Sequence, residues 1–377
     1  MIVVGIFYAI PVFQLVITYQ KIVRRTGNDG ICYYNFKCSH PLYIFSAFNN
    51  FISNIGYVML GFLFIVVLIN LFISLERAYI TKLYNDNYGV PQRYGIYAAI
   101  GIALIMEGIL SACYHICPNR SNFQFDTSYM YVIAILSMVQ IYNIRHPDLI
   151  ASAHLVFLSF ALVIFMAVFG VLFKSVAIWI IFDLIYFAVV TILSLQIYYD
   201  GKWSFSLRAL RRICSRRDCI ASLYSKVIFD MILIFVYLIY LKFCYRGLYG
   251  VIKEPDDFGT FFLAIFISNL AAYLLYYTIK KVRILNEKIL WMPLILMLIT
   301  GALWVSAIYF FFHPVSCWQC SPANSREYNK PCIFLNFFDE HDVWHLLSAG
   351  ALYTSLLLLL TLDDDLISVP RDKIRVF

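Results

Sequence analysis

The sequence predicts an all-α, polytopic transmembrane helical bundle of about ten spans, and three observations predict it. Of 377 residues, 62% are hydrophobic and 14% charged, where a soluble chain carries about 25% charged residues. Apolar runs of the length a bilayer requires, about 20 residues, recur along the whole chain. Basic residues gather between particular runs, as they do where loops face the cytoplasm. This much apolar surface cannot be hidden in a soluble fold, so lipid must be the solvent for much of it. No internal repeat or low-complexity linker divides the chain, and residues 1–377 read as a single transmembrane domain.

The candidate spans are 2–20, 52–74, 95–115, 126–143, 150–173, 175–198, 226–244, 259–279, 289–312 and 342–362. Met1 opens directly into the first, with no basic n-region and no small-residue cleavage site, so it does not read as a signal peptide. It reads as a span whose upstream part is missing.

Sidedness follows from the basic residues. Lys202, Arg208, Arg211, Arg212, Arg216 and Arg217 lie in the 199–225 loop, and Lys280, Lys281 and Arg283 lie two loops further on. Both loops are therefore assigned to the cytoplasm, with both termini on that side. Lys21, Arg24 and Arg25 fall on the outer side and run against the rule. Cysteines test the assignment independently. Cys32, Cys38, Cys117, Cys317, Cys320 and Cys332 all fall in or beside outer loops, three of them in the 313–341 loop. An oxidising compartment lets such cysteines pair, but spacing leaves the pairing open. Asn119-Arg120-Ser121 is a glycosylation sequon on the same side.

The chemistry-bearing residues gather at helix ends. In "SACYHICPNRSNFQFD", Ser111 and His115 are four apart and share a helix face, Glu107 extends that face inward, and Asp126 opens the next span. In "DEHDVWHLLSAG", His341 and His345 stand four apart at the start of the last span. Two histidines so spaced can bind one metal from one helix face. The topology puts both clusters at outer helix ends, so His115, Asp126, His341 and His345 can meet in one layer. Three imidazoles and a carboxylate suit Zn2+. Asp126 is either the fourth ligand or the group that orients a water. Ser111 is placed to hydrogen-bond that water or a substrate oxygen. Glu107 is either a site residue or a buried carboxylate paired with a neighbouring helix.

"FNNFISNIGY" opens the second span, where Asn49, Asn50, Ser53 and Asn54 form a polar face. Asn50 and Asn54 either knit helices together or buttress the metal ligands from behind. Asp183 and Asp230 lie inside spans six and seven and read as interhelical hydrogen-bond partners. Val16, Tyr19 and Lys21 fit a hypothesis-grade cholesterol motif.

"FNNFISNIGY", "MEGILSACYHICPNRSNFQFDTSYMY", "DEHDVWHLLS" and the tail "LLTLDDDL...RDKI" resemble the systemic RNA interference defective (SID) transmembrane family, across essentially the whole chain. That family sits in a superfamily of membrane hydrolases with alkaline ceramidases and the adiponectin receptors. Their pattern, Ser-x3-His, Asp, then His-x3-His, is matched by Ser111, His115, Asp126, His341 and His345. The resemblance implies a zinc site in a transmembrane bundle, transport of double-stranded RNA and binding of cholesterol. It also implies a β-rich extracellular region and one more span ahead of the matched segment, which this sequence does not contain.

Double-stranded RNA is recognised through shape and phosphate charge. The 313–341 loop sets Arg326 and Lys330 against Glu327, Asp339 and Glu340, so it offers no strongly basic surface. Three readings follow. One is a channel or transporter assisting RNA uptake at a plasma or endosome-lysosome membrane. Another is a zinc-dependent lipid amide or ester hydrolase, with Ser111 and Asp126 catalytic. The third is a sterol-binding membrane protein with a structural zinc. Homo-oligomerisation is compatible with each, and the metal constellation alone does not separate them.

Overall fold

The computed structural model describes residues 2–43, 45–80, 87–91, 93–119, 122–146, 153–173, 258–317 and 320–375, with a few more between 175 and 185. These residues are helical, with isolated bridges and no β-strand among them. Seven helical segments among them are long and apolar enough to cross a membrane: Phe48–Ala78, Tyr94–Tyr114, Gln124–Arg145, His154–Val171, Phe262–Arg283, Trp291–Phe311 and Glu340–Leu366. Most of the expected span 175–198, the whole of 226–244, the 199–225 loop, Asp183 and Asp230 lie outside the described residues.

The helices are α1 (Ile2–Thr26), α2 (Phe48–Ile52), α3 (Ile55–Ile80), α4 (Tyr94–Tyr114), α5 (Gln124–Arg145), α6 (Ala153–Leu172), α7 (Phe258–Ile279), α8 (Trp291–Phe311), α9 (Pro322–Glu327) and α10 (Glu340–Thr361). They fall into two compact units. The first comprises Met1–Leu136 with Ile289–Lys373, and the second Ser137–Lys288 with Ile374–Phe377.

In the first unit α10 packs along α8 and against α3, while α3 packs along α4. Small residues bring α3 and α4 together, as expected where lipid removes the hydrophobic drive between helices. A Cβ on Gly61 would lie 2.7 Å from Ile105 Cγ1, and one on Gly108 would lie 3.0 Å from the Asn54 carbonyl oxygen. The exposed faces are apolar. Met59, Phe62, Leu63 and Val66 on α3 and Met292, Ile295 and Leu298 on α8 are all open. Only 17% of the α3 span and 11% of the α8 span is buried, against 61% for α4 and 50% for α10. The exposed faces are the surface a bilayer covers, and α4 and α10 are the interior.

All six cysteines assigned to outer loops are paired: Cys32 with Cys117, Cys38 with Cys332, and Cys317 with Cys320. They lie in the first unit and tie its inter-helical loops together. The sequon asparagine, Asn119, is 7% exposed and donates its amide to the Cys117 carbonyl. Arg120 and Ser121, the rest of the sequon, lie outside the described residues.

In the second unit α6 packs against α7, and α7 runs on into a π-helical turn over Lys280–Ile284. Arg145, fully buried at the end of α5, grips Glu287 with both terminal nitrogens at 2.6 and 3.2 Å. Its Nε donates to Tyr277 Oη at 2.7 Å, and Lys281 Nζ lies 3.3 Å from the same Glu287. Buried charges persist only when paired and hydrogen-bonded in this way.

Candidate metal centre

Helix ends place each candidate ligand. His115 closes α4, its amide bonded to the Ser111 carbonyl oxygen at 3.1 Å. Asp126 lies in the first turn of α5, where the helix dipole favours a carboxylate. The start of α10 is fixed by a reciprocal cap. Asp339 Oδ1 accepts from the Asp342 amide at 2.9 Å, and Asp342 Oδ2 accepts from the Asp339 amide at 3.1 Å. Two asparagines hold that cap. Asn35 Nδ2 donates to Asp339 Oδ2 at 3.0 Å, and Asn49 Nδ2 donates both to Asp342 Oδ2 and to the Cys38 carbonyl at 2.9 Å. The cap sets the rotation of α10, and with it the direction of His341 and His345.

The fold brings the four together. One ligand atom from each of His115, Asp126, His341 and His345 lies within 4.8 Å of all the others. His115 Nε2 is 2.9 Å from His345 Nε2 and 3.7 Å from Asp126 Oδ1. The His341 ring centre is 5.1 Å from that of His115 and 4.6 Å from that of His345. Two imidazole nitrogens at 2.9 Å must share either a proton or a cation. His115 and His345 are buried at 4% and 2% exposure. The group could hold a metal ion.

Ser111 is fully buried, and its Oγ donates to Asp126 Oδ1. Glu107 lies deeper on the same helix at 2% exposure, and its Oε2 has no partner among the described residues. Asn50 and Asn54 are also buried, Asn54 donating to the Asn50 carbonyl at 3.0 Å. Their side-chain oxygens likewise have no partner among the described residues.

The bonds that reach a histidine from behind come from elsewhere. Tyr57 Oη on α3 is 3.4 Å from His345 Nδ1 and 2.5 Å from Ser348 Oγ. Ser348 Oγ in turn donates to the Trp344 carbonyl at 2.7 Å. Because Ser348 spends its proton on that carbonyl, Tyr57 donates to Ser348 and is left to accept from His345 Nδ1. That order fixes the proton on Nδ1 and leaves the Nε2 lone pair facing the other ligands. Sequence reasoning did not single out Tyr57, Ser348 or the Asn49–Asp342 bond. The one available signal was Asp339-x-x-Asp342, a capping pattern ahead of an apolar run.

The comparisons with known proteins agree with this architecture. The family model described as dsRNA-gated channel SID-1 matches residues 1–377. SID1 transmembrane family member 1 of Homo sapiens is 49% identical over 379 residues, 99% of this chain and 46% of that protein. The Mus musculus protein of the same name is 48% identical over 381 residues, again 99% and 46%. Cholesterol uptake protein 1 of Caenorhabditis elegans is 40% identical over 383 residues, 100% of this chain and 50% of that protein. The chain spans about half the length of these curated relatives.

Proposed function

The chain belongs to the dsRNA-gated channel SID-1 family, and on that premise we propose that it is the membrane-embedded part of a double-stranded RNA uptake protein, built around one zinc ion. The observation that carries the zinc reading is the convergence of His115, Asp126, His341 and His345 within 4.8 Å. Zinc with bonds of roughly 2.0–2.1 Å holds tetrahedral ligand atoms about 3.3 Å apart. The 2.9 and 3.7 Å separations bracket that value. Three imidazoles and one carboxylate are also the donor set zinc favours over calcium or magnesium.

We assign this site an outer position, in a plasma or endosome-lysosome membrane with cytoplasmic termini. Three disulfides tie the same unit, as an oxidising compartment permits. RNA capture is assigned to the half of the relatives' length that lies outside the match. Of the basic residues in the 313–341 loop, Lys330 is paired with Glu340 at 2.5 Å and Arg326 lies over the Phe36 ring at 4.6 Å. Lys330 is thereby committed to Glu340, and Arg326 is one exposed basic side chain in a loop that also carries Glu327, Asp339 and Glu340. A sterol or another lipid is the partner suited to the apolar faces of α3 and α8, and the name of Cholesterol uptake protein 1 agrees with that choice.

Metal analysis of purified protein tests the reading. About one zinc per chain is expected, lost in the double variant His341→Ala/His345→Ala. Full occupancy in that variant would overturn the assignment. For transport, labelled duplex is offered to cells expressing this chain alone or fused to the remaining half of a relative. Uptake by the fusion only is expected. Equal uptake by both would overturn the division of labour.

A second reading, a zinc-dependent lipid amide or ester hydrolase, is favoured by the hydrogen bond from Ser111 to Asp126. Zinc would supply Lewis acidity there. Asp126 would take a proton from the attacking water at its second oxygen. Ser111, held against that carboxylate, would turn its hydroxyl to the oxygen that gains charge.

A further inference from the structure

We propose that Cys38, His40 and Cys332 form a second metal site that opens only when their disulfide is reduced. None of these three side chains takes part in the site built on His115 and His345; only the backbone of Cys38 and His40 meets its supporting residue Asn49. Cys38 and Cys332 are bonded, with Cα atoms 5.0 Å apart. His40 Nε2 lies 3.4 Å from Cys332 Sγ, and one ligand atom from each of the three residues is within 4.8 Å of the others. The imidazole is held in place. Its ring stacks on Phe337 at 4.8 Å and 21°, and the His40 amide donates to Asn49 Oδ1 at 3.1 Å. The imidazole is placed to meet a thiolate.

Accessibility sets the order of events. Cys38 is 1% exposed, whereas Cys332 and His40 are half-buried. Cys332, the more exposed of the two cysteines, is the one a small thiol-class reductant would meet first. The reductant's thiolate attacks Cys332 Sγ, the protein S–S bond breaks, and the Cys38 thiolate leaves. A second thiol then attacks the reductant's own sulfur in the mixed disulfide and releases the Cys332 thiolate beside His40. Two electrons have passed to the protein, and the reductant leaves as its disulfide. A bonded disulfide sulfur is a poor metal ligand, but two thiolates and an imidazole are a zinc-type set. A divalent ion of that class would displace the thiol protons. Tetrahedral coordination needs the sulfurs about 3.8 Å apart. Cys332 sits in an irregular segment ahead of the Phe334–Phe338 bridge, which allows that opening.

Cobalt(II) is the probe, because only sulfur ligation gives near-ultraviolet sulfur-to-cobalt charge transfer, and the histidine–aspartate site has no sulfur. The protein carries serine in place of Cys113, Cys214, Cys219, Cys244, Cys317 and Cys320, so that only Cys32, Cys38, Cys117 and Cys332 remain of the ten cysteines. It is titrated before and after reduction by a water-soluble phosphine, which leaves as its oxide with oxygen from water. The charge-transfer band and about one further cobalt per chain are expected after reduction only. His40→Ala keeps both sulfurs and the backbone bond to Asn49, and retention of the Cys38–Cys332 disulfide in the variant is checked before reduction. It should weaken cobalt binding at this site by about tenfold or more. No band in protein whose thiols are shown to be free would overturn the proposal. So would a band whose affinity His40→Ala leaves unchanged, because the ligands would then be Cys32 and Cys117. Loss of the sulfur-free cobalt spectrum instead would count against the histidine–aspartate site alone.

Discussion

Tyr57 and His345, 288 positions apart in the chain, meet through Oη and Nδ1 at 3.4 Å. With Ser348 donating to the Trp344 carbonyl, the tyrosine hydroxyl donates to Ser348 Oγ and is free to accept a hydrogen bond from Nδ1–H. The α3 helix thereby decides which histidine nitrogen on α10 is free. Tyr57→Phe keeps the ring and removes only that acceptor. Zinc affinity, measured by chelator competition, should fall about tenfold or more while stoichiometry stays the same. Unchanged affinity would show that the hydroxyl does not set the tautomer.

Ser111→Ala separates the two chemical readings. If the site turns over lipid amides, removing the hydroxyl should cut hydrolysis of a ceramide panel roughly a hundredfold or more while zinc stays bound. If zinc is structural, neither protein hydrolyses the panel, and histidine variants fail to fold. Turnover that survives both Ser111→Ala and zinc removal would end the hydrolase reading.

Asn49→Ala and Asn50→Ala form a matched pair of neighbours. Asn49 joins Asp342 to the Cys38 carbonyl and accepts from the His40 amide, so its loss removes the donor to that carbonyl, the acceptor of that N–H and one of the two bonds that Asp342 Oδ2 accepts. That should cost about 1–3 kcal/mol, read as a lower unfolding midpoint in detergent. Asn50, whose side-chain oxygen has no partner among the described residues, should cost less. The reverse order would refute the role given to Asn49.

These two asparagines also mark where the sequence stopped being legible. A continuous helix from Phe48 would set Asn50 and Asn54 on one face, one turn apart. The helix instead breaks at Ser53 and Asn54, between α2 and α3. Asn49 is the residue that reaches Asp342. The candidate site residues escaped that ambiguity because Ser111 with His115, and His341 with His345, each lie within one helical turn. Tyr57 was hidden for another reason. In a chain with 29 tyrosines, an aromatic on an apolar helix carries no mark of its partner. The pairing of the six outer cysteines was equally silent, since loop position says that cysteines can meet and not which ones do.

Arg145→Met tests the second unit. Glu287, 13% exposed, would keep Lys281 but lose its bidentate partner. Breaking one side of a buried pair typically costs about 3–5 kcal/mol. A large drop in unfolding midpoint is expected, against little change for the exposed Lys37→Met. Equal effects would mean that the Arg145–Glu287 contact contributes no net stability.

The bond between Cys38 and Cys332 joins residues 294 positions apart, and this places it late in the life of the nascent chain. At about 5–20 residues per second, a ribosome takes roughly 15 to 60 s to cover that interval. The 85 positions between Cys32 and Cys117 take only about 4 to 17 s. The earlier pair can close while most helices are still unmade. Cys38 must wait as a reactive thiol, and premature partnership with Cys32 or Cys117 would have to be undone by an isomerase. His341 and His345 emerge only a few residues later, so the candidate ligand set is completed at about the time the last disulfide can close.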